Sequence, residues 1–280
     1  MRWLGNRESN NVEDRRGSGG GLAIGGGIGT IVIAIIYVLL GGNPSDVVNQ
    51  VVTTQQTQPA SSRSPEEEKL ASFTKVVLAY TEDVWDSIYR ADDQQYEKPK
   101  LVLFSNQTES GCGFASAATG PFYCPPDHKV YIDLSFFREL DERFRAPGEF
   151  AMAYVIAHEV GHHIQELNGT SQSVQQMRAK TTEVEYNKLS VKLELQADFL
   201  AGVWAHHANK LHRILDPGDL ESALTAANAI GDDRLQQEST GRVVPDAFTH
   251  GTSRQRMYWF KKGFETGDIR QGNTFKGIDE

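Results

Sequence analysis

Residues 149–169 read EFAMAYVIAHEVGHHIQELNG, and this stretch decides how the chain is interpreted. Apolar residues cover most of its circumference and Gly169 ends it, so the pattern predicts a buried helix. Its middle carries His158, Glu159 and His162. Residues four apart share one face of a helix, so both imidazoles can reach a single ion. Burying these polar groups in an apolar helix is costly unless a metal satisfies them.

A zinc hydrolase with the H-E-x-x-H motif needs a third protein ligand and one open position. The extended motif H-E-x-x-H-x-x-G-x-x-H is excluded, because its last two fixed positions are Gln165 and Asn168 here. Residues 192–202, KLELQADFLAG, predict a second apolar helix that offers Glu194 and Asp198 on one face.

The roles of these two acids follow from zinc chemistry. We assign Glu194 as the third ligand and Asp198 as the acceptor for the free ring N–H of a ligating histidine. The reverse assignment stays open. His163 points about 100° away from His162 on the helix and cannot share the ion. The sequence therefore predicts one zinc ion per chain, held by His158, His162 and Glu194.

An apolar stretch near the N-terminus predicts a membrane span. Residues 22–40 are apolar except for Thr30, and nineteen residues of helix extend roughly 28 Å, about one hydrocarbon thickness. We expect a signal-anchor helix over 19–42. The arginines precede it, so the tail 1–18 is predicted in the cytoplasm and the rest beyond the inner membrane, as a single-pass protein.

The signal-anchor prediction has further consequences for the chain. Residues 43–64 are rich in Gln, Thr, Ser and Pro and predict a flexible stalk. Three glycines four residues apart would let two spans pack as a dimer: Gly21, Gly25 and Gly29. In an oxidising compartment, Cys112 and Cys124 are expected to form a disulfide.

The remaining residues, 65–280, are predicted to form one metallopeptidase domain. A helix begins at Pro65, and strands are predicted at 100–105 and 129–134. From Ser135 onward the pattern is mainly helical. The fold class is therefore α+β, with one N-terminal transmembrane helix and a zincin-like, mainly helical domain beside a small sheet. The strand at 129–134 is expected to pair with an extended substrate.

The chain resembles a bacterial family of neutral zinc metallopeptidases. The matching stretches are GPFYCPPDHKVYIDLSFF, HEVGHHIQ, ELQADFLAG, AIGDDRLQ and PDAFTHGTSRQR, in this order. The resemblance implies a gluzincin-type fold, zinc dependence and membrane attachment.

A second resemblance concerns residues 249–256, THGTSRQR, which are similar to the T-H-P-x-x-x-x-R element of membrane-associated zinc peptidases. It implies that His250 helps to stabilise the transition state and that Arg256 supports the site. Gly251 replaces the proline of that pattern.

These residues together predict a membrane-anchored zinc metallopeptidase that hydrolyses peptide bonds, with Glu159 as the general base toward a zinc-activated water. Its predicted partners are a peptide or protein substrate and the lipid bilayer. The formal net charge of −9 argues against a nucleic-acid partner. Two alternatives are a zinc hydrolase of a non-peptide bond and a catalytically silent, zinc-stabilised binding module, which would tolerate loss of Glu159.

Overall fold

The computed structural model describes residues 1–17, 63–116 and 119–276. The helices of this part are α1 (Pro65–Ala91), α2 (Ser135–Glu142), α3 (Glu149–Leu167), α4 (Thr170–Met177), α5 (Glu183–His212), α6 (Asp219–Ala229), α7 (Asp232–Thr240) and α8 (Ser253–Thr266). The strands are β1 (Val12–Asp14), β2 (Lys100–Phe104), β3 (Gln107–Ser110), β4 (Gly113–Ser116), β5 (Phe122–Cys124) and β6 (Lys129–Asp133). The class is α+β, with a helical body and small sheets.

The larger sheet has four strands in the order β1-β2-β6-β5. β1, β2 and β6 run parallel, and β5 is antiparallel to β6. β6 therefore has β2 on one side along its length and β5 on the other over residues 129–131, so the prediction that the strand at 129–134 pairs with an extended substrate is wrong for these residues. The outer strand on that side is β5. β3 and β4 form a separate hairpin. The Cys112–Cys124 disulfide joins the turn of this hairpin to β5.

The helical body centres on α5, which packs against α3 and, most extensively, α8. Glycines allow the α5–α8 crossing to be very close. A Cβ atom at Gly202 would lie 2.1 Å from the carbonyl oxygen of Phe260, and one at Gly263 would lie 2.1 Å from that of Phe199. Only glycine permits backbones to approach this far. The crossing brings the start of α8 over the middle of α5.

Residues 1–15 belong to the same compact unit as residues 65–276, although the sequence separated them as a tail. Trp3 is buried, and its ring meets Phe73 of α1 edge-on at 5.4 Å. Ser9 and Asn11 donate hydrogen bonds to the buried carboxylate of Glu82, at 2.5 and 2.7 Å. β1 then pairs with the edge of β2, which supplies the hydrogen-bonding neighbour that a strand requires.

Three of the four arginines that precede the apolar stretch form ion pairs within this unit. Arg2 binds Asp216 and Arg7 binds Asp83, at 2.8 and 2.7 Å. Arg15 binds Glu13 at 2.7 Å. These positive charges therefore have partners inside the fold.

The N-terminal transmembrane helix is the part of the predicted fold class that was wrong. No helix within the described ranges is both long enough and apolar enough to cross a membrane. The longest ones, α1 and α5, carry charged residues in their first and last turns and along their exposed sides. The predicted signal-anchor at 19–42, its three glycines and the stalk up to residue 62 lie outside the described residues.

Candidate metal centre

Three side chains from α3 and α5 converge on one point. One ligand atom each from His158, His162 and Glu194 lies within 4.8 Å of the other two. Nε2 of His158 is 3.2 Å from the Glu194 carboxylate, and Nε2 of His162 is 3.4 Å from its other oxygen. Two imidazole nitrogens and a carboxylate are a donor set typical of catalytic zinc.

The ring orientation of His158 is fixed from behind by Asp198. Nδ1 of His158 donates to Oδ1 of Asp198 at 2.8 Å, which leaves Nε2 free to face Glu194. Arg256 binds the same carboxylate with two donors, at 2.8 and 2.9 Å, and Tyr154 donates its hydroxyl at 2.5 Å. The structure thus brings Asp198 and Arg256 together behind the histidine, while Glu194 faces the cluster.

Neighbouring positive groups keep the carboxyl groups of Asp198 and Glu194 ionised. Burial opposes the charged form of Asp198, but Arg256 and His158 outweigh it and lower the pKa of Asp198 to about 2. Burial also opposes ionisation of Glu194, yet the two neighbouring imidazoles hold its pKa well below the usual range. Glu194 is therefore a carboxylate, the form that binds a cation.

His162 has a neutral partner instead of a charged one. Its Nδ1 lies 2.9 Å from Oε1 of Gln165, one turn further along α3. Nε2 is thereby left for Glu194 and a metal. The two imidazoles are held by different chemistry, since a carboxylate supports His158 and an amide supports His162.

Glu159 lies beside the cluster and lines an open cleft of about 710 Å³. Its side chain is 8% exposed. Burial raises the pKa of this carboxyl, although the two neighbouring histidines and a backbone hydrogen bond from Tyr123 of β5 partly oppose the rise. A carboxylate of raised pKa next to a metal position can accept and return a proton.

The loop before α8 carries His250 into the same cleft. Asp232, the first residue of α7, accepts from the backbone N–H groups of Thr249, His250 and Gly251, at 2.6–3.0 Å. Its other oxygen is 3.2 Å from Nδ1 of His250. Gly251 has φ +92°, a conformation closed to proline. The loop therefore follows a different backbone path from that of the T-H-P pattern.

Three other histidines join elements of the fold through backbone carbonyls. His163 is fully buried: it accepts from the hydroxyl of Tyr123 at 3.0 Å and donates to the carbonyl of Glu97 at 2.7 Å, which ties α3 to β5. His206 and His207 donate to the carbonyl oxygens of Phe264 and Gly267, at the end of α8.

Three residues of the site were not predicted from the sequence. Tyr154 and Gln165 lie four residues before His158 and three after His162, so helical spacing alone could have placed them beside the ligands. Asp232 lies eighteen residues before His250, and no local spacing indicates their contact.

An H-E-x-x-H helix with a glutamate of the next long helix facing its two histidines is the donor arrangement of the zinc metallopeptidase class. The chain belongs to the family described as "Putative neutral zinc metallopeptidase", whose model matches residues 1–275.

Relatives of the chain extend over most of its length. It is 50% identical to "Uncharacterized protein YpfJ" of Escherichia coli (strain K12), over 98% of this chain and 99% of that protein. It is 40% identical to "Uncharacterized protein Rv2575" of Mycobacterium tuberculosis (strain ATCC 25618 / H37Rv), over 74% of this chain and 72% of that protein. No solved structure matches the chain.

Proposed function

We propose that the protein is a peptidase that uses one zinc ion per chain, held by His158, His162 and Glu194. The observation that carries the proposal is the convergence of these three side chains within 4.8 Å, beside Glu159 and in the lining of an open cleft. The donor set fits zinc, and the second nitrogen of each imidazole is occupied by a protein acceptor, as zinc-ligating histidines require.

Each residue has a chemical task in this proposal. A bound zinc ion would lower the pKa of a water molecule and polarise the substrate carbonyl. Glu159 takes the proton from the attacking water and passes it to the leaving amine. His250, held by Asp232, donates a hydrogen bond to the oxygen on which negative charge develops. Asp198 and Arg256 keep His158 oriented while the charge distribution changes.

A peptide substrate is supported by the position of β5. This outer strand lies beside Glu159, and Phe122 and Tyr123 of β5 line the cleft. An extended chain could therefore add to the sheet with its backbone amides across from β5 and a carbonyl near the metal position. This arrangement favours a peptide over a non-peptide ester or amide, because only a peptide has an extended backbone that can pair with β5.

The decisive test compares the wild-type protein with Glu159→Gln and Glu194→Ala. Glu159→Gln should keep about one zinc per chain and lose hydrolysis in a peptide-library digest, since only the proton acceptor is removed. Glu194→Ala should lose zinc as well. The digest is repeated with a chelator and after zinc is restored.

Two outcomes would contradict the proposal. Unchanged turnover by Glu159→Gln would remove this residue from the reaction. A wild-type protein that binds zinc but cleaves no peptide in the library would favour the non-peptide hydrolase or the silent binding module.

A further inference from the structure

We propose that Gln165 is a positioning residue for His162, and that Gln196 extends its support to the C-terminal segment, defined here as residues 268–276. The inference rests on the proposed zinc site but concerns metal affinity, so it can be tested without any substrate. Its basis is a continuous chain of hydrogen bonds that runs from an imidazole of the metal centre to the backbone of the C-terminal segment.

The first link fixes the orientation of the Gln165 amide. Gln165 is 1% exposed, and its Nε2 donates to the carbonyl of Leu193 at 2.7 Å and to Oε1 of Gln196 at 3.1 Å. A backbone carbonyl can only accept, so the NH₂ group must face Leu193. The oxygen must then face Nδ1 of His162 and accept its proton. This bond sets the tautomer, with the Nε2 lone pair directed toward the metal position.

The second link leads away from the metal. Nε2 of Gln196 donates to the carbonyl oxygen of Gly272 at 3.1 Å. The C-terminal segment also lies flat against α5 at this point, because a Cβ atom on Gly272 would be 2.4 Å from the ring of Phe199. Gln196 therefore couples the amide behind His162 to a tightly packed piece of chain.

A third contact acts on the ligand helix itself. Oγ1 of Thr274 donates to the carbonyl of Lys192 at 2.6 Å, and Gln165 binds the next carbonyl, that of Leu193. Both carbonyls immediately precede Glu194. The C-terminal segment and Gln165 thus hold the turn of α5 that presents the third ligand.

The neutral character of this support predicts how it acts. Asp198 orients the His158 ring and also stabilises it by its negative charge. The neutral amide of Gln165 only orients the His162 ring and fixes its tautomer. Loss of the Gln165 oxygen should therefore weaken zinc binding, and a substitution that retains an acceptor should restore part of it. A role in packing alone predicts no advantage for the acceptor variant, because Gln165→Glu also loses the N–H groups that bind Leu193 and Gln196.

The experiment measures the zinc dissociation constant by competition with a chromophoric chelator, together with the melting temperature of each zinc-free variant. Gln165→Met keeps the side-chain volume and should weaken zinc binding about 10–100-fold, the range typical for loss of a group that orients a ligand. Gln165→Glu gives up the N–H donated to the carbonyl of Leu193 but keeps an acceptor for His162, so it should bind zinc more tightly than Gln165→Met.

Two further variants test the C-terminal part of the chain. Gln196→Leu and Thr274→Val should each weaken zinc binding several-fold, within the lower part of the same range. Gln172→Leu is the matched control, because this exposed glutamine of α4 donates its hydrogen bonds to Glu166, away from the ligand cluster, and its loss should leave zinc affinity unchanged.

Unchanged zinc affinity in both Gln196→Leu and Thr274→Val would overturn the coupling to the C-terminal segment. Equal affinities of Gln165→Met and Gln165→Glu would overturn the positioning role, and if Gln165→Met fails to fold, Gln165→Asn replaces it as the variant whose amide is too short to reach. A wild-type chain that binds no zinc would instead overturn the proposed function.

Discussion

Asp232 and His250 are bound to each other twice, once through the side chain and once through the backbone. Nδ1 of His250 lies 3.2 Å from Oδ1 of Asp232, and its backbone N–H donates to Oδ2 at 2.6 Å. The aspartate therefore sets both the path of the loop and the direction of the imidazole. Nε2 is left as the nitrogen that can face a substrate in the cleft.

If His250 stabilises charge that appears only in the transition state, its removal should affect turnover more than binding. We expect His250→Ala to lower kcat on the order of a hundredfold or more, with a much smaller change in KM. Zinc content should stay the same, because His250 is outside the ligand cluster. Normal turnover of His250→Ala would mean that the loop only connects α7 to α8. Loss of zinc in this variant would mean that His250 is a metal ligand.

The same pair predicts a pH dependence. The hydrogen bond to Asp232 raises the pKa of His250, burial opposes the rise, and Glu194 adds to it. A raised pKa means that the folded state stabilises the imidazolium. The resulting contribution to the free energy of unfolding is complete below pH about 6.5 and is lost as pH rises through the folded-state pKa.

Asp232→Asn should lower the pKa of His250 and move the basic limb of the kcat profile to lower pH. The measurement is kcat from pH 5 to 10 for the wild-type protein and the variant. Zinc content at each pH serves as the control, since loss of metal would also reduce the rate. A basic limb at the same pH in both proteins would show that His250 does not carry the essential proton.

Arg256 should matter for stability as well as for rate. Its guanidinium is buried on Asp198, so Arg256→Ala leaves a buried carboxylate that keeps the hydrogen bonds from His158 and Tyr154 but loses its arginine partner. Breaking such a pair costs about 3–5 kcal/mol. We expect a lower melting temperature, weaker zinc binding and slower turnover. Arg254→Ala, two residues earlier on the exposed side of α8, is the control and should change none of these. A variant that loses activity but keeps its melting temperature and zinc affinity would contradict this role.

The pairing of β1 with the sheet can be tested through Glu13. Lys129 lowers the pKa of Glu13 to about 2, burial opposes this, and Arg15 assists. A depressed pKa contributes stability above pH about 4.5 that is lost as pH falls through about 2. Glu13→Gln should therefore destabilise the protein at pH 7, by on the order of 1 kcal/mol for a partly exposed pair.

The difference in melting temperature between Glu13→Gln and the wild-type protein should shrink as the pH falls toward 2. Glu109→Gln, on the exposed side of β3, is the control and should match the wild-type protein throughout. Equal stability of Glu13→Gln and the wild-type protein at pH 7 would mean that the ion pairs of Glu13 with Lys129 and Arg15 contribute little to holding β1 on the sheet.

The sequence alone predicted the features that depend on neighbours along one helix. His158 and His162 are four residues apart, as are Glu194 and Asp198, and the geometry of a helix fixes each pair on one face. Zinc chemistry then led to the prediction that Glu194 is the ligand and that Asp198 accepts a hydrogen bond from a ligating histidine. The same local rule identified α1, α3 and α5, whose apolar faces recur with the helical period.

The tertiary structure decided what local spacing cannot encode. Arg256 reaches Asp198 only because Gly202 and Gly263 let α5 and α8 touch through their backbones. The order of the strands made β5, and not β6, the outer strand beside the cleft. Neither fact follows from periodicity, since both depend on which distant segments compete for the same surface.

The N-terminus shows the same limit most clearly. Arginines that precede an apolar stretch are typical of a tail beside a membrane, and a hydropathy profile reflects only this local composition. Two of these arginines have partners far along the chain: Arg7 binds Asp83, and Arg2 binds Asp216. An ion pair or a strand pairing forms where the folded backbone brings two groups within about 4 Å, and that proximity is a property of the whole packed chain, which no window of adjacent residues contains.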